Sequence, residues 1–191
     1  MVQSQYTVVY DACVFYPAPV RDLLVSLATT GLFRTKWTEQ IHQEWITSLQ
    51  RNRPDLKKNQ LARTKELINH SVLDCLVYGY EPLIEGLSLP DANDRHVLAA
   101  AIRCGAQSIV TYNLKDFPKK NLSKYDIECQ SPDVFCGYLI DLSPGLFLAS
   151  VKQIRNRLKK PPLEPMQYLA NLETMGLQQT TSWLRDYKNL I

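Results

Sequence analysis

Segments of strand character alternate with helix-patterned stretches through the first 140 residues, and that rhythm leaves the chain few architectures. Strand-like runs fall near residues 6–10, 33–37, 72–78, 108–112 and 126–130. Such alternation predicts an α/β domain of three layers: a central parallel sheet of about five strands with helices on both faces. Position-specific residues mark the intervening helices. Pro19 stands near the start of one, Thr38 is placed to cap another, Pro54 is expected in a first turn, and Gly105 follows a last turn. In open sheets of this kind, ligands sit beyond the carboxyl ends of the strands, where the loops carrying Asp11 and Asn113 emerge.

The pattern changes after Ser143-Pro144-Gly145. A basic amphipathic stretch runs to Lys160, prolines at 161, 162 and 165 break it, and no strand signal follows. We therefore divide the chain into residues 1–143 and an all-helical extension, 144–191, of three short helices. Leu146, Leu148, Val151, Ile154 and Leu158 are expected to pack that extension onto the main domain or a partner. With 45% apolar residues in 191, the chain has enough material for a real core. No run approaches the roughly 18 apolar residues of a membrane span, and the first residues lack the basic-then-apolar order of a signal peptide. A cytoplasmic protein without membrane contact is expected. The five cysteines are odd in number and form no Cys-x-x-Cys pair, so they suggest neither a zinc site nor a closed disulfide set.

Acids recur at the junctions. Asp11 follows the apolar run Tyr6–Tyr10 directly. Glu44 borders the helical stripe Ile41, Trp45, Leu49, about 60° from Ile41, whereas Glu39 points away. Asp94 heads the stripe Val97, Leu98, Ala101, Ile102, and Asp91 stands three residues earlier. Capping explains one of these two acids comfortably. After Ser108–Tyr112 come Asn113 and Asp116, which alone read as ordinary turn formers. Each acid has a bland explanation, as a solvated flank, a cap or a turn; their recurrence at one sheet edge favours shared function. Carboxylates held close together repel one another unless a cation neutralises them. A hard divalent ion such as Mg²⁺ or Mn²⁺ meets that need and activates water against a phosphodiester.

Bases gather elsewhere, in spite of a net charge of only +3. Arg51, Arg53, Lys57, Lys58, Arg63 and Lys65 crowd one region, and Lys152, Arg155, Arg157, Lys159 and Lys160 another. Either cluster could neutralise nucleic-acid phosphates or simply be a solvated helix face. Trp37 and Trp45 have core spacing. His42, His70 and His96 lack metal-ligand spacing and read as structural or surface residues.

Taken together, Val9-Tyr10-Asp11-Ala12-Cys13-Val14, Glu44, Asp94–Ala101 with Gly105-Ala106, and Ile109–Phe117 resemble the PIN-domain family in the right order over roughly residues 5–140. The resemblance implies a metal-dependent ribonuclease fold. It carries catalytic and metal-binding roles onto Asp11, Glu44, Asp94 and Asp116, with Thr111 and Asn113 as supporting polar groups; Asp91 joins these by its position beside Asp94, and Arg51, Arg53, Lys57 and Lys58 are candidate RNA contacts by their clustering. Within that family, Tyr16–Leu24, Pro90–His96 and the helical tail are similar to VapC-like toxins of toxin–antitoxin pairs. That likeness implies an RNA substrate, a cognate antitoxin and a homodimer. Relatives commonly carry another acid where Asn93 stands, so one oxygen ligand is neutral here. An aspartyl-phosphate mechanism would want a carboxylate two residues after Asp11, where Cys13 stands. A PIN-like module that binds RNA or protein without cutting is the other reading.

Overall fold

The computed structural model describes residues 6–159 and 161–191. The first strand, β1 (Thr7–Tyr10), leads through Asp11 into a single helical turn, α1 (Ala12–Phe15), and then α2 (Ala18–Ala28), which has Pro19 in its first turn. Next come β2 (Arg34–Lys36), α3 (Glu39–Asn52) and α4 (Lys58–Ser71). A loop with two 3₁₀ turns reaches α5 (Arg95–Cys104), followed by β3 (Ser108–Val110), the short α6 (Lys119–Leu122) and β4 (Glu128–Gln130). Four helices complete the described chain: α7 (Pro132–Leu142), α8 (Pro144–Arg157), α9 (Pro165–Thr174) and α10 (Gln178–Asp186). The boundary drawn at residue 143 falls at the turn between α7 and α8.

All strands run parallel in the order β2-β1-β3-β4. Val8, Val9, Tyr10, Ile109 and Val110 are wholly buried, as strands covered by helices on both faces must be. Because β1 has β2 on one side and β3 on the other, the connections diverge between β1 and β3, and a crevice opens there at their carboxyl ends. The main-chain ladder continues into it: Asp11 N–H donates to the Val110 carbonyl (3.1 Å) and Thr111 N–H to that of Gln130 (3.0 Å).

Among the described residues the sheet has four strands instead of about five. Residues 72–78 lie beside β2 but pair through a single bridge, Trp37 with Leu76, closed by Trp37 N–H to Cys75 O and Val77 N–H to Trp37 O, both 2.9 Å. Asp74 interrupts the strand with a left-handed φ of 55°, an uncommon conformation for a residue with a Cβ. Its main-chain carbonyl and its carboxylate both accept from the buried Lys36 ammonium, which rewards that conformation. Val72, Cys75 and Val77 still reach the core, while Leu73, 90% exposed, and Tyr78 turn outward.

Helix signals fared unevenly. Thr38 caps α3, its hydroxyl accepting from Ile41 N–H at 3.1 Å, and Gly105 ends α5 with φ 64°. Pro54 does not open a helix. It lies in the link after α3, where Arg53 N–H still bonds Leu49 O (2.7 Å), and α4 begins beyond it with Lys57 as its flanking residue. Three helices follow residue 143 as expected, but the buried face of α8 is Phe147, Ser150, Val151 and Ile154. Leu148 and Leu158 pack against the core half-buried, as expected, whereas Leu146 is 44% exposed and falls outside the stripe. α8 and α9 pack against α2, and α10 packs against α7 and α9. Among the described residues no helix is long and apolar enough to cross a membrane, and all five cysteines are free.

Candidate active site

Asp11 is 4% exposed and held from several directions. Its Oδ1 accepts from Ala12 N–H at 2.6 Å, and its Oδ2 from the Thr111 hydroxyl at 2.6 Å and the Cys13 thiol at 3.0 Å. Thr111 in turn accepts from Asn113 N–H (2.9 Å), and Tyr112 N–H donates to Cys13 Sγ (3.2 Å). The loops after β1 and β3 are thereby stitched together across the crevice. Burial first, and the Asp11 charge second, push the Cys13 thiol pKa up, so the sulfur remains a protonated donor.

Asp94 stands where a 3₁₀ turn, Ala92–Asp94, passes into α5. Half-buried, its carboxyl is pushed up to about 6 from an ordinary 3.8, chiefly by desolvation and then by Asp11, Asp91 and Asp116, with His96 acting in the opposite sense. Four acids from three segments thus share one electrostatic environment. Asp91 also does the local work that its position suggests, accepting from Asn93 N–H at 2.8 Å. Asn93 itself is exposed.

Glu44 reaches the crevice from α3. Its Oε1 stands 2.8 Å from His96 Nε2 and accepts from Gln40 Nε2 at 3.4 Å. His96 is buried and its Nδ1 has no partner. Because a carboxylate only accepts, the proton between the two is on His96 Nε2, which donates to Glu44. Spacing alone had set His96 aside as structural, because its partner lies 52 positions away on another helix. His42 does fit that description: Trp45 Nε1–H donates to its Nδ1 (2.9 Å), and its Nε2 meets Asn69 Oδ1 (2.8 Å).

Asp11, Glu44, Asp94 and Asn113 face one cleft of about 410 Å³, with Tyr16 and Asn52 at its side. Thr111 is buried behind Asp11. Asp116, half-buried in the 3₁₀ turn Leu114–Asp116, is outside the lining but near enough to raise the Asp94 pKa. Two other clefts, of about 410 Å³ between α2, α4 and α8 and about 530 Å³ beside Phe117 and Ile127, gather no comparable set of acids. Among the described residues no three His, Cys, Asp or Glu side chains form a preassembled metal cage.

Arg51, Lys57 and Lys58 are exposed, and Arg51 neighbours Asn52 of the cleft wall. Arg53 differs. Its guanidinium is engaged bidentately by Asp55 at 2.8 and 2.7 Å. Lys65 pairs with Glu39 (2.7 Å), and Arg155 donates to the carbonyls of Leu163 and Ile191. Lys160 lies outside the described residues. Trp37 and Trp45 are core residues, while Trp183 is half-buried against Phe147 and Tyr187.

Comparison with known proteins agrees with this geometry. A family model described as "PIN domain" matches residues 7–115, more than half of the chain, and one described as "VapC50 C-terminal domain" matches residues 132–186. The chain is 38% identical over 92 residues to "Putative ribonuclease VapC50" of Mycobacterium tuberculosis (strain ATCC 25618 / H37Rv), covering 48% of this chain and 54% of that one. It thus spans about half the length of the curated relative it matches. No solved structure matches. With Asp11, Glu44 and Asp94 inside the matched segment and its last helices inside the second, the chain belongs to the PIN-domain family, as a VapC-like member with a VapC50-type C-terminal region.

Proposed function

We propose that this protein is a divalent-metal-dependent endoribonuclease and the toxin of a toxin–antitoxin pair. The observation that carries the reading is the meeting of Asp11, Glu44 and Asp94 at one cleft between β1 and β3, with Asp94 pushed up to about 6 by burial first and by its acidic neighbours second. Oxygen donors alone suit Mg²⁺ or Mn²⁺, and Mg²⁺ needs only one or two carboxylates beside water and substrate phosphate, so the lack of a preassembled cage is compatible with it. Asp11, Glu44, Asp94 and Asp116 would hold the ion. When bound, it supplies Lewis-acid polarisation of the phosphodiester and a lowered pKa for water. The chain's own contribution is placement. Thr111 fixes Asp11, His96 orients Glu44, and Asn113 and Asp91 supply neutral and acidic polar groups at the rim.

The relative's printed name concerns a ribonuclease, which supports RNA as the substrate. A cytoplasmic location, a small antitoxin and a second copy of this chain as partners are proposed on the family likeness; the division at residue 143 is proposed on the change of pattern at Ser143-Pro144-Gly145. The decisive experiment is incubation of the purified protein with cellular RNA and Mn²⁺, followed by sequencing of the new ends. Defined ends that disappear with a chelator are expected. A folded protein that neither binds Mn²⁺ nor cuts RNA would leave the alternative, a non-cutting RNA- or protein-binding module.

Free bases and engaged ones should behave differently. Arg51→Ala and Lys57→Ala are each expected to weaken RNA binding and reduce the salt slope by about one unit. Arg53→Ala should leave both nearly unchanged, because Asp55 already neutralises that guanidinium. Equal losses at all three positions would show that the Arg53–Asp55 pair opens for phosphate.

A further inference from the structure

Tyr112 sits between Thr111, which holds Asp11, and Asn113, which faces the cleft. Its N–H is fixed by Cys13, while its phenol points the other way and donates to the Met175 carbonyl at 2.7 Å. Met175 follows the last residue of α9, so this carbonyl is one that a helix end leaves without an intrahelical partner. The next residue, Gly176, has φ +90°, and a Cβ built there would meet Tyr112 Cε1 at 3.5 Å. The phenol ring therefore lies against the backbone of the α9–α10 turn. That turn is anchored from its far side as well. Leu177 is wholly buried, and Asp133 at the start of α7 accepts from Gln179 N–H and Thr180 N–H, both at 2.9 Å.

We propose that the α9–α10 turn braces the loop of residues 111–116, and that Tyr112 is the positioning residue through which the C-terminal helices set the acidic cleft. The inference rests on the reading of that cleft as a metal-dependent nuclease site. Satisfying one helix-end carbonyl does not require a residue of the cleft loop, since water serves exposed carbonyls equally well. Tyr112 instead couples one wall of the cleft to an element 63 positions later in the chain. With the phenol bonded, Thr111 and Asn113 are held from both sides, by Cys13 within the sheet edge and by Met175 outside it.

Tyr112→Phe removes only the hydroxyl and is to be compared with wild type and with Tyr187→Phe, an outer-surface control. Amide hydrogen exchange at residues 113–116 of the metal-free protein is expected to quicken about fivefold, the loss of one net hydrogen bond. Mn²⁺ affinity should weaken by a similar factor, and kcat should fall with KM for RNA unchanged. A merely structural role would lower the melting temperature and leave loop exchange and Mn²⁺ affinity at wild-type values, and that result overturns the proposal. If wild type itself binds no Mn²⁺ and cuts no RNA, the nuclease reading fails, and the exchange comparison alone decides the brace.

Discussion

Asp94→Asn is expected to make the metal-free protein more stable at pH 7.5 while cutting RNA cleavage by at least about a hundredfold, since even residues behind metal ligands cost 10–100-fold. The two effects have one cause. Asp94 has a folded-state pKa of about 6 against an ordinary 3.8, because it is half-buried and faces Asp11, Asp91 and Asp116. Between those two values the folded state binds more protons than the unfolded one, so stability falls as pH rises through that window and stays low above it. A neutral amide removes the repulsion. The gain at pH 7.5 should reach up to about 1 kcal/mol, limited because water screens the half-exposed carboxylate. Near pH 4 Asp94 is protonated and the two proteins should melt alike. Adding Mn²⁺ at a hundred times its dissociation constant should stabilise wild type by about 2.7 kcal/mol and the variant hardly at all. A variant that melts lower than wild type at pH 7.5, or still cuts RNA, would show that these acids do not form a working cation site.

The parts of this design visible in the sequence are those set by local chemistry. β1 and β3 are legible because a strand covered on both faces must be apolar throughout, as Val8, Val9, Tyr10, Ile109 and Val110 are. Asp11, Asp94 and Asn113 are legible because each directly follows a strand or heads a helix. Residues 72–78 mislead because they have the composition of a strand, and their conformation is decided by Asp74 and a lysine 38 positions earlier. The same limit hides His96. Its contact with Glu44 depends on how α3 and α5 approach each other, and no spacing within either helix encodes it. Leu146 misleads more simply: it is apolar but lies in the first turn of α8, off the stripe of Leu148, Val151, Ile154 and Leu158 that packs inward.

Asp133 extends that argument into the largest expected stability effect. The first residues of α10 have no cap from their own neighbours: Leu177 precedes the helix and offers no side-chain bond. Asp133, buried at the start of α7, supplies the cap from 46 positions away. Its Oδ2 accepts from Gln179 N–H, and its Oδ1 from Thr180 N–H and from the Thr180 hydroxyl at 2.7 Å. A carboxylate there meets both the orphan N–H groups and the positive end of the helix dipole. Asp133→Ala leaves those donors buried without a partner, and since hydrogen bonds to charged groups are worth about 1.5–3 kcal/mol, a loss of roughly 3 kcal/mol is expected. That is a large fraction of the roughly 5–15 kcal/mol that holds an ordinary domain together. Urea denaturation measures it, with Asp186→Asn as an exposed control that should change little. Asp133→Asn should fall between, because an amide oxygen can keep part of the cap while losing the charge. Hydrogen exchange should quicken first in α10 and the α9–α10 turn. Unchanged exchange there, with a loss below about 0.5 kcal/mol, would mean that the turn is held by Leu177 and Tyr112 alone and that this long-range cap is dispensable.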